Sequence, residues 1–534
     1  MIKVPSVQDQ TTGPTPLNVT TEGPAPEVEM DPMVAGVDRR DASWDLRQGP
    51  KNYVALLVSQ GASALFSFAA VWLATRYLGP AGYGGVVAII ATSQIVMLLA
   101  INWTGATVSR FGCEEFVETG RIASSFWTRL AILLPNLGLV AAATPLWLPT
   151  LSELLHLPVR GGYLVFSLLI ANSLWIHIQQ ALQGVKLLRL QGSLLTLERA
   201  VILLAVGCLA LSGKISVWSV GCVYVLGPLL ASIVGLFNLW KFIWPIWGID
   251  ISLLKRMLRF SFPIIPAAFI GYLSSYYLDA LFISHFLSQV ELGVYAVVFQ
   301  LSGLTQQLPV LVGTVLAPLF VTFQTGKQEN RTARFIEEVL PMLTLLWTMG
   351  CALVATIGWY LLPLVFGQGF AQTAALMWPL MAAGAFAGPW LMGYGPVTTT
   401  AAKTHLITVA VVSGSCANVI LNWVLIPRFG LLGCAWATAV ASAINLITIF
   451  FLVHRSILPK RTWTLQANLP IAVGALYASV TGKNLFAFGL TVLTCAIIGF
   501  AHRKSLLKAA ETVGDYRRFV SADTTGIAVA EQTP

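Results

Sequence analysis

Charge is scarce in this chain. Only 10% of its 534 residues are Asp, Glu, Lys or Arg, where a soluble domain carries roughly 25%, so its surface is not one built for water. Acids are the rarer sign, 23 against 32 Lys and Arg, and they offer no paired arrangement for hydrolytic or metal chemistry. The 7 cysteines (Cys113, Cys208, Cys222, Cys351, Cys416, Cys434 and Cys495) are scattered, nearly all in apolar runs. No CxxC pair or metal-ligand spacing joins them, which leaves them as small buried hydrophobes rather than a disulfide or zinc framework. A phosphate-cradling P-loop is missing, so this chain does not draw on ATP hydrolysis itself. Also missing is the basic segment and short apolar stretch of a cleavable signal peptide, so the first helix is expected to serve as its own insertion signal.

What the chain has in quantity is apolar length. Hydrophobic residues make up 56%, in runs of about 20 residues, enough to cross roughly 30 Å of hydrocarbon. The expected spans are 53–78, 82–103, 124–148, 163–184, 194–211, 215–240, 263–287, 292–320, 339–362, 373–394, 404–426, 431–453, 469–480 and 484–500. The fold class that follows is all-α integral membrane, with about fourteen transmembrane helices.

Orientation comes from the loops. With the amino terminus in the cytoplasm, 27 of the 32 Lys and Arg fall on the inner side and 5 (Arg76, Arg160, Lys214, Arg428 and Lys483) on the outer, the asymmetry of the positive-inside rule. The net charge of +9 is thus a topology signal, and nucleic acid is not expected as a partner. Residues 1–50, rich in Pro, Thr and acids, are expected to be a disordered cytoplasmic tail. A six-helix bundle over 51–240 and a second over 263–456 follow, joined by a cytoplasmic linker over 241–262. Two extra helices occupy 457–503, and a cytoplasmic tail 504–534. In the linker, Ile251 to Phe262 gathers Lys255, Arg256 and Arg259 on one arc, the pattern of an interfacial helix on the inner leaflet. A frayed start to the seventh span is the alternative. Glu114, Glu115 and Glu118 sit in what reads as a short charged loop with a solvated face.

An internal repeat accompanies this division. Arg76-Tyr-Leu-Gly-Pro-Ala-Gly-Tyr-Gly-Gly-Val aligns with His285-Phe-Leu-Ser-Gln-Val-Glu-Leu-Gly-Val-Tyr at an offset of 209, pairing Leu78 with Leu287 and Gly84 with Gly293. Each copy lies in the first outer hairpin of its half, as in transporters built from repeats around a central site.

Three patches together resemble the oligosaccharide and polysaccharide flippase branch of the multidrug/oligosaccharidyl-lipid/polysaccharide exporter superfamily, which includes O-antigen flippases. They are the Arg76–Gly84 stretch, Asp279 with the His285–Ala296 stretch, and Lys403-Thr-His with the LNxxLIPxxGxxGxxxAT pattern running from Leu421 to Thr438. The resemblance covers residues 50–505. It implies two six-helix bundles in pseudo-two-fold relation plus two carboxy-terminal helices, with alternating access and no enzymatic activity or cofactor. It further implies a lipid-linked oligosaccharide of the undecaprenyl-diphosphate type as cargo, carried from the cytoplasmic to the outer leaflet of a bacterial inner membrane. Partners of that setting are membrane lipids, a sugar polymerase and a chain-length regulator.

Polar groups within spans are the candidate site, since a charge at the helix centre costs roughly 2.5–3.5 kcal/mol on insertion scales. Asp279 lines a cavity and couples transport to a cation or proton, or else bonds Ser or Tyr partners to lock its bundle. Arg76 holds a diphosphate with its guanidinium fork or snorkels to the outer head groups. His285, its repeat mate, shares that task or is an interfacial histidine. Asn418 and Asn422 stand one turn apart, as helix–helix glue or as a substrate contact. His177, Gln179, Gln180 and Gln183 give the fourth span a polar face. Arg129 and the pair Glu198–Arg199 read as local ion pairs or ligand groups. Lys403, at the inner mouth, attracts an anionic head group or serves as a topogenic charge. Together these predict a chamber richer in bases than in acids. Two other functions compete: a multidrug efflux antiporter of the same superfamily, whose cavity calls for acids, and a membrane glycosyltransferase or polymerase, for which the outer loops leave no room.

Overall fold

A computed structural model describes residues 42–154, 161–245, 249–262, 265, 276–325, 329–401, 403–458, 460 and 462–514. The amino-terminal tail before residue 42, most of the first half of the seventh span (263–275) and the last 20 residues lie outside them.

The described residues are helical throughout. The first half comprises α1 (Ala42–Ala100), α2 (Gly105–Thr119), α3 (Ala123–Leu154), α4 (Gly161–Gly184), α5 (Leu188–Leu211) and α6 (Val217–Ile243), followed by the linker helix α7 (Ile251–Ser261). The second half comprises α8 (Tyr276–Phe286), α9 (Gln289–Thr325), α10 (Glu329–Arg334), α11 (Leu340–Phe366), α12 (Thr373–Pro389), α13 (Gly395–Thr400) and α14 (Thr404–Ser456). Then come α15 (Thr464–Ala467), α16 (Leu469–Thr481) and α17 (Asn484–Ala501). Among the described residues, ten stretches are long and apolar enough to cross a bilayer. Two of these are hairpins of two spans each, α1 folding at Gly79 and α14 at Gly430. Adding α8 and α16 to the twelve spans so counted gives the expected fourteen.

Both folds depend on glycine. Gly79 has φ 65° and ψ −179°, and Gly430 φ 58° and ψ −139°, a region closed to residues with a Cβ. The turn at Gly430 is kept tight by Gly433, where a Cβ would stand 2.3 Å from the Leu425 carbonyl oxygen.

Prolines act differently. Pro396 and Pro341 each lack the N–H that the carbonyl four residues earlier would accept, and each follows a π turn, Trp390–Tyr394 and Phe335–Val339. The widened register lets Gly395 N–H bond the Trp390 carbonyl and Leu340 N–H the Phe335 carbonyl, so the helix absorbs the missing donor without breaking.

The segment expected as a charged loop is helical. α2 continues the second span after a 3-10 turn at Asn102–Thr104 and carries the acids along its surface. Glu115 accepts from the backbone N–H groups of Ser124 and Ser125, both at 2.8 Å, capping α3. Glu114 lies 3.7 Å from Arg110 and 3.3 Å from Arg256. That second contact helps fix α7, which is capped by Asp250 and buries Leu253 and Met257 against Phe111 and Ile132 of the first half. Residues 503–514 also form a helix, docked through buried Ala509 and a 2.6 Å bond from the Thr512 hydroxyl to Glu338.

The halves meet at the end carrying the Gly79 and Gly430 turns. One buried core there takes Ala70, Val86, Val206 and Val220 from the first half and Ile283, Val298, Ala355, Met377 and Cys434 from the second. At its edge a Cβ on Gly84 would stand 1.8 Å from the Gln289 carbonyl oxygen, and one on Gly293 2.1 Å from that of Pro80. Pro80 and Gln289 are themselves 209 apart, as are Gly84 and Gly293. The offset therefore maps the contact of Gly84 with Gln289 onto the contact of Gly293 with Pro80, the reciprocal pattern of a two-fold contact. Trp72 Nε1 donates to the Val365 carbonyl at 3.1 Å, Gln300 Nε2 to Ser67 Oγ at 3.2 Å, and Phe68 packs edge-on against Phe366. At the opposite end the described residues of the two halves form separate cores: Val108, Phe126, Trp175 and Leu239 in one, Phe320, Ile336, Leu406 and Ile449 in the other.

Candidate functional site

Just inside the shared core, between the halves, lies a cavity of about 240 Å³. Ser67, Tyr83 and Tyr224 of the first half and Tyr277, Phe299 and Gln300 of the second contribute to its walls. None of its lining residues is charged, which corrects the expectation of a predominantly basic chamber for the part of the interface described here. Arg76 and Lys403 sit instead where a charge costs least. Arg76 is exposed in the last turn before Gly79, and Lys403 stands at the far end of the second half, donating to the Ser456 carbonyl.

A second polar assembly lies inside the second half. Asp279 on α8 is 2% exposed. Its Oδ2 accepts from the Tyr295 hydroxyl at 2.8 Å and the Thr438 hydroxyl at 2.9 Å, and its Oδ1 from Asn422 Nδ2 at 2.8 Å. The other Asn422 N–H reaches Asn418 Oδ1 at 3.0 Å. These groups converge because the Gly430 turn returns Thr438 beside Asn418 and Asn422, while α9 brings Tyr295 across. No Lys, Arg or His lies within ion-pair distance of Asp279 among the described residues, so its charge is met by neutral donors alone. Such donors offset part of the desolvation cost, each bond to a charged group contributing roughly 1.5–3 kcal/mol. Asn422 Oδ1 is buried without a partner, a free acceptor beside the carboxylate.

The first half holds a third group. Arg129 on α3 is fully buried, and its Nη1 donates to His177 Nδ1 on α4 at 3.0 Å. The Phe126 ring lies 4.3 Å from the imidazole. Arg129 Nε and Nη2 and His177 Nε2 have no protein partner. Glu198 is buried on α5 with Arg199 3.5 Å away. Gln180, one turn from His177, is half-buried.

Of the residues singled out in the sequence, the structure thus brings Asp279, Asn418 and Asn422 together and sets His177 against Arg129 rather than on the central cavity. It leaves Arg76, His285 and Lys403 apart. His285 is exposed and stacks on Trp423 with ring centres 6.3 Å apart. Sequence reasoning missed Tyr295 and Thr438 as partners of Asp279, although both stand in the quoted patches. It also missed the tyrosines of the cavity, of which Tyr277 stands two residues before Asp279.

The sequence model of a family described as polysaccharide biosynthesis protein matches residues 50–324. No curated protein matches the chain. Among solved structures, the lipid II flippase MurJ in an inward closed conformation superposes with a TM-score of 0.63 at 15% identity, covering 84% of this chain and 99% of that one. The MATE multidrug transporter DinF-BH gives 0.54 at 15% identity, covering 76% and 94%. An inward-facing multidrug resistance MATE family transporter of the MOP superfamily gives 0.51 at 14% identity, covering 73% and 94%. At such identities the likeness is one of fold: paired helical bundles that both a flippase and drug exporters use.

Proposed function

The chain belongs to the polysaccharide biosynthesis protein family, and we propose that it is a flippase moving a polyprenyl-diphosphate-linked oligosaccharide from the cytoplasmic to the outer leaflet. The observation that carries this reading is the seam between the halves. At one end they share a core and a two-fold backbone contact at Gly84 and Gly293; at the other each half is packed on its own. Such an arrangement opens by rocking one half on the other, because no core shared by the described residues has to be unpacked at the separate ends. With 27 of the 32 bases assigned to those ends, the open side is the cytoplasmic one, where a glycan lipid is assembled. Both termini then lie in the cytoplasm, and the membrane is a bacterial inner membrane.

The cavity supports a sugar cargo over a cationic drug. Tyrosine and phenylalanine faces pack against the C–H faces of sugar rings, while Ser67 and Gln300 supply hydrogen-bonding groups for hydroxyls. A cationic drug calls for a carboxylate, and none lines this space. At about 240 Å³ the cavity is smaller than the roughly 300–1,000 Å³ of a ligand-filled site, as suits the closed end of a pathway.

Asp279 is assigned the coupling role. A buried carboxylate with no basic partner among the described residues, ringed by amide and hydroxyl oxygens and by the free Asn422 Oδ1, is suited to exchange a proton or a small monovalent cation between the two faces.

The test is deletion of the gene followed by chemical analysis of lipid-linked glycans. The flippase reading requires an undecaprenyl-diphosphate oligosaccharide to accumulate on the cytoplasmic leaflet while the mature surface polysaccharide is lost. An unchanged glycan profile with new sensitivity to cationic drugs would establish efflux instead.

A further inference from the structure

A polar-rimmed cavity outside the seam lies where the second half ends at the expected cytoplasmic surface. It has a volume of about 370 Å³ and is walled by the ends of α9, α10, α13 and α14. Its floor is apolar, with Phe320, Ala333, Val397, Ile457 and Leu458, and its rim carries Asn330, Thr332, Thr400 and Lys403. No acid lines it among the described residues. Of the three N–H groups on the Lys403 ammonium, the Ser456 carbonyl takes one, which fixes the side chain at the rim and leaves two to donate. The surroundings add positive charge. Arg331 lies over the Phe323 ring one turn from Phe320, and Arg334, Arg455 and Lys460 are exposed nearby in the chain. Of the acids nearby in the chain, Glu329 precedes Asn330, Glu337 stands 4.0 Å from Lys460, and Glu338 accepts from the Thr512 hydroxyl.

We infer that this cavity binds the phosphate of an anionic glycerophospholipid of the inner leaflet. Two features select that chemistry. A cationic rim with hydroxyl and amide groups matches a phosphodiester, and an apolar floor of Phe320, Val397 and Leu458 beneath it matches the glycerol and first methylenes attached to it. A free phosphate ion would use the rim and leave the floor uncovered. Basic pockets between spans on the cytoplasmic side have the position and sign to take anionic lipid from a leaflet whose surface potential already concentrates it. The lipid would tie α9, α13 and both ends of α14 together, and so steady the cytoplasmic end of the second half. The inference rests on the cytoplasmic placement of this end and is independent of which glycan is carried.

Purified full-length protein in neutral detergent provides the test, with dioleoylphosphatidylglycerol, dioleoylphosphatidylcholine or inorganic phosphate titrated separately. Bound lipid is counted by native mass spectrometry and thermal stability is followed in parallel. Phosphatidylglycerol is expected to bind saturably and raise Tm, while phosphatidylcholine and phosphate do neither. Lys403→Gln is expected to weaken phosphatidylglycerol about fivefold, the factor that corresponds to about 1 kcal/mol for one basic group. Because Lys403 also caps Ser456, Asn330→Asp serves as the second variant. It places an acid on the rim at an exposed position and is expected to weaken the lipid similarly with an unchanged lipid-free Tm. Equal phosphatidylglycerol binding by the wild type and both variants would overturn the site. Saturation by phosphate alone, with no further gain from lipid, would overturn the lipid occupant. Transport is not read in either arm, so failure of the flippase reading would leave this result standing.

Discussion

Asp279 condenses the chemistry of the second half into a few side chains. Three donors converge on one buried carboxylate, and its two candidate roles, bundle lock and coupling group, separate under substitution. Tyr295→Phe removes the hydroxyl that donates to Asp279 and stands 3.1 Å from Thr438 Oγ1, and is expected to cost about 1–3 kcal/mol of stability, read as a lowered Tm of the purified protein. Asp279→Asn keeps shape and most bonds but removes the titrating group. Its transport rate should fall about tenfold or more, each tenfold corresponding to about 1.4 kcal/mol in the barrier, with folded yield retained. Wild-type transport by that variant would confine Asp279 to a structural role. The acid itself was legible in the sequence, because an isolated Asp in an apolar run must be compensated. Its partners were not, because Tyr295 and Thr438 lie 16 and 159 residues away and reach it only once α9 and the α14 hairpin are packed. Arg129 illustrates the same limit from the other side: the sequence placed it near a helix end, while the fold buries it against His177.

Single elements carry two further expectations. At Gly84 the second arm of α1 approaches the Gln289 backbone so closely that a Cβ has no space. Gly84→Ala must therefore separate the halves at their sealed end, since a carbonyl oxygen cannot rotate away as a side chain does. A cysteine at Ser67 on that variant is expected to react with a membrane-impermeant maleimide from the outer face faster than the same cysteine on the wild type. Equal labelling would mean that the contact is not a gate. The linker helix offers a pH test. Hydrogen bonds from the Ser252 side chain, with those of the Leu253 and Ser252 backbone N–H groups, hold the Asp250 carboxyl below the usual carboxylate range. A depressed value contributes stability above the carboxyl's unfolded pKa, and that contribution is lost as pH falls through the folded value. Amides of α7 are thus expected to exchange faster at about pH 3 than at about pH 6, after correction for intrinsic rates, and Asp250→Asn should flatten the difference. Spans and outer turns were readable because hydropathy sets length and Gly-Pro chemistry sets turns. The helical form of α2 was not, because its charged residues gave the composition of a loop while their ties to α3 and α7 are tertiary.

On the scale of the whole molecule the repeat is the informative feature. Two matched residues at an offset of 209 were a faint signal in the sequence, yet they proved to lie at the point where the halves touch. Backbone-to-backbone contact leaves room only for glycine at that position in both copies. The basic chamber was misjudged for a related reason. Counting charges along spans does not say which face of a helix bears them, and here the bases are distributed to helix ends and to the interior of one half. The described part of the seam is neutral and aromatic instead. On the proposed flippase reading, a neutral glycan would meet the tyrosines and its charged diphosphate the cytoplasmic bases.

Rocking of the halves about a sealed outer seam is the central claim, and a reversible lock across that seam tests it most directly. Ser67 and Gln300 bond across it at 3.2 Å, so cysteines at these two positions, in a background with the 7 native cysteines replaced, can be joined by a short reducible bis-thiol reagent. Delivery of lipid-linked oligosaccharide to the outer leaflet is expected to stop when the bridge forms and to resume when it is reduced. Undiminished delivery through a quantitatively bridged protein would contradict the mechanism.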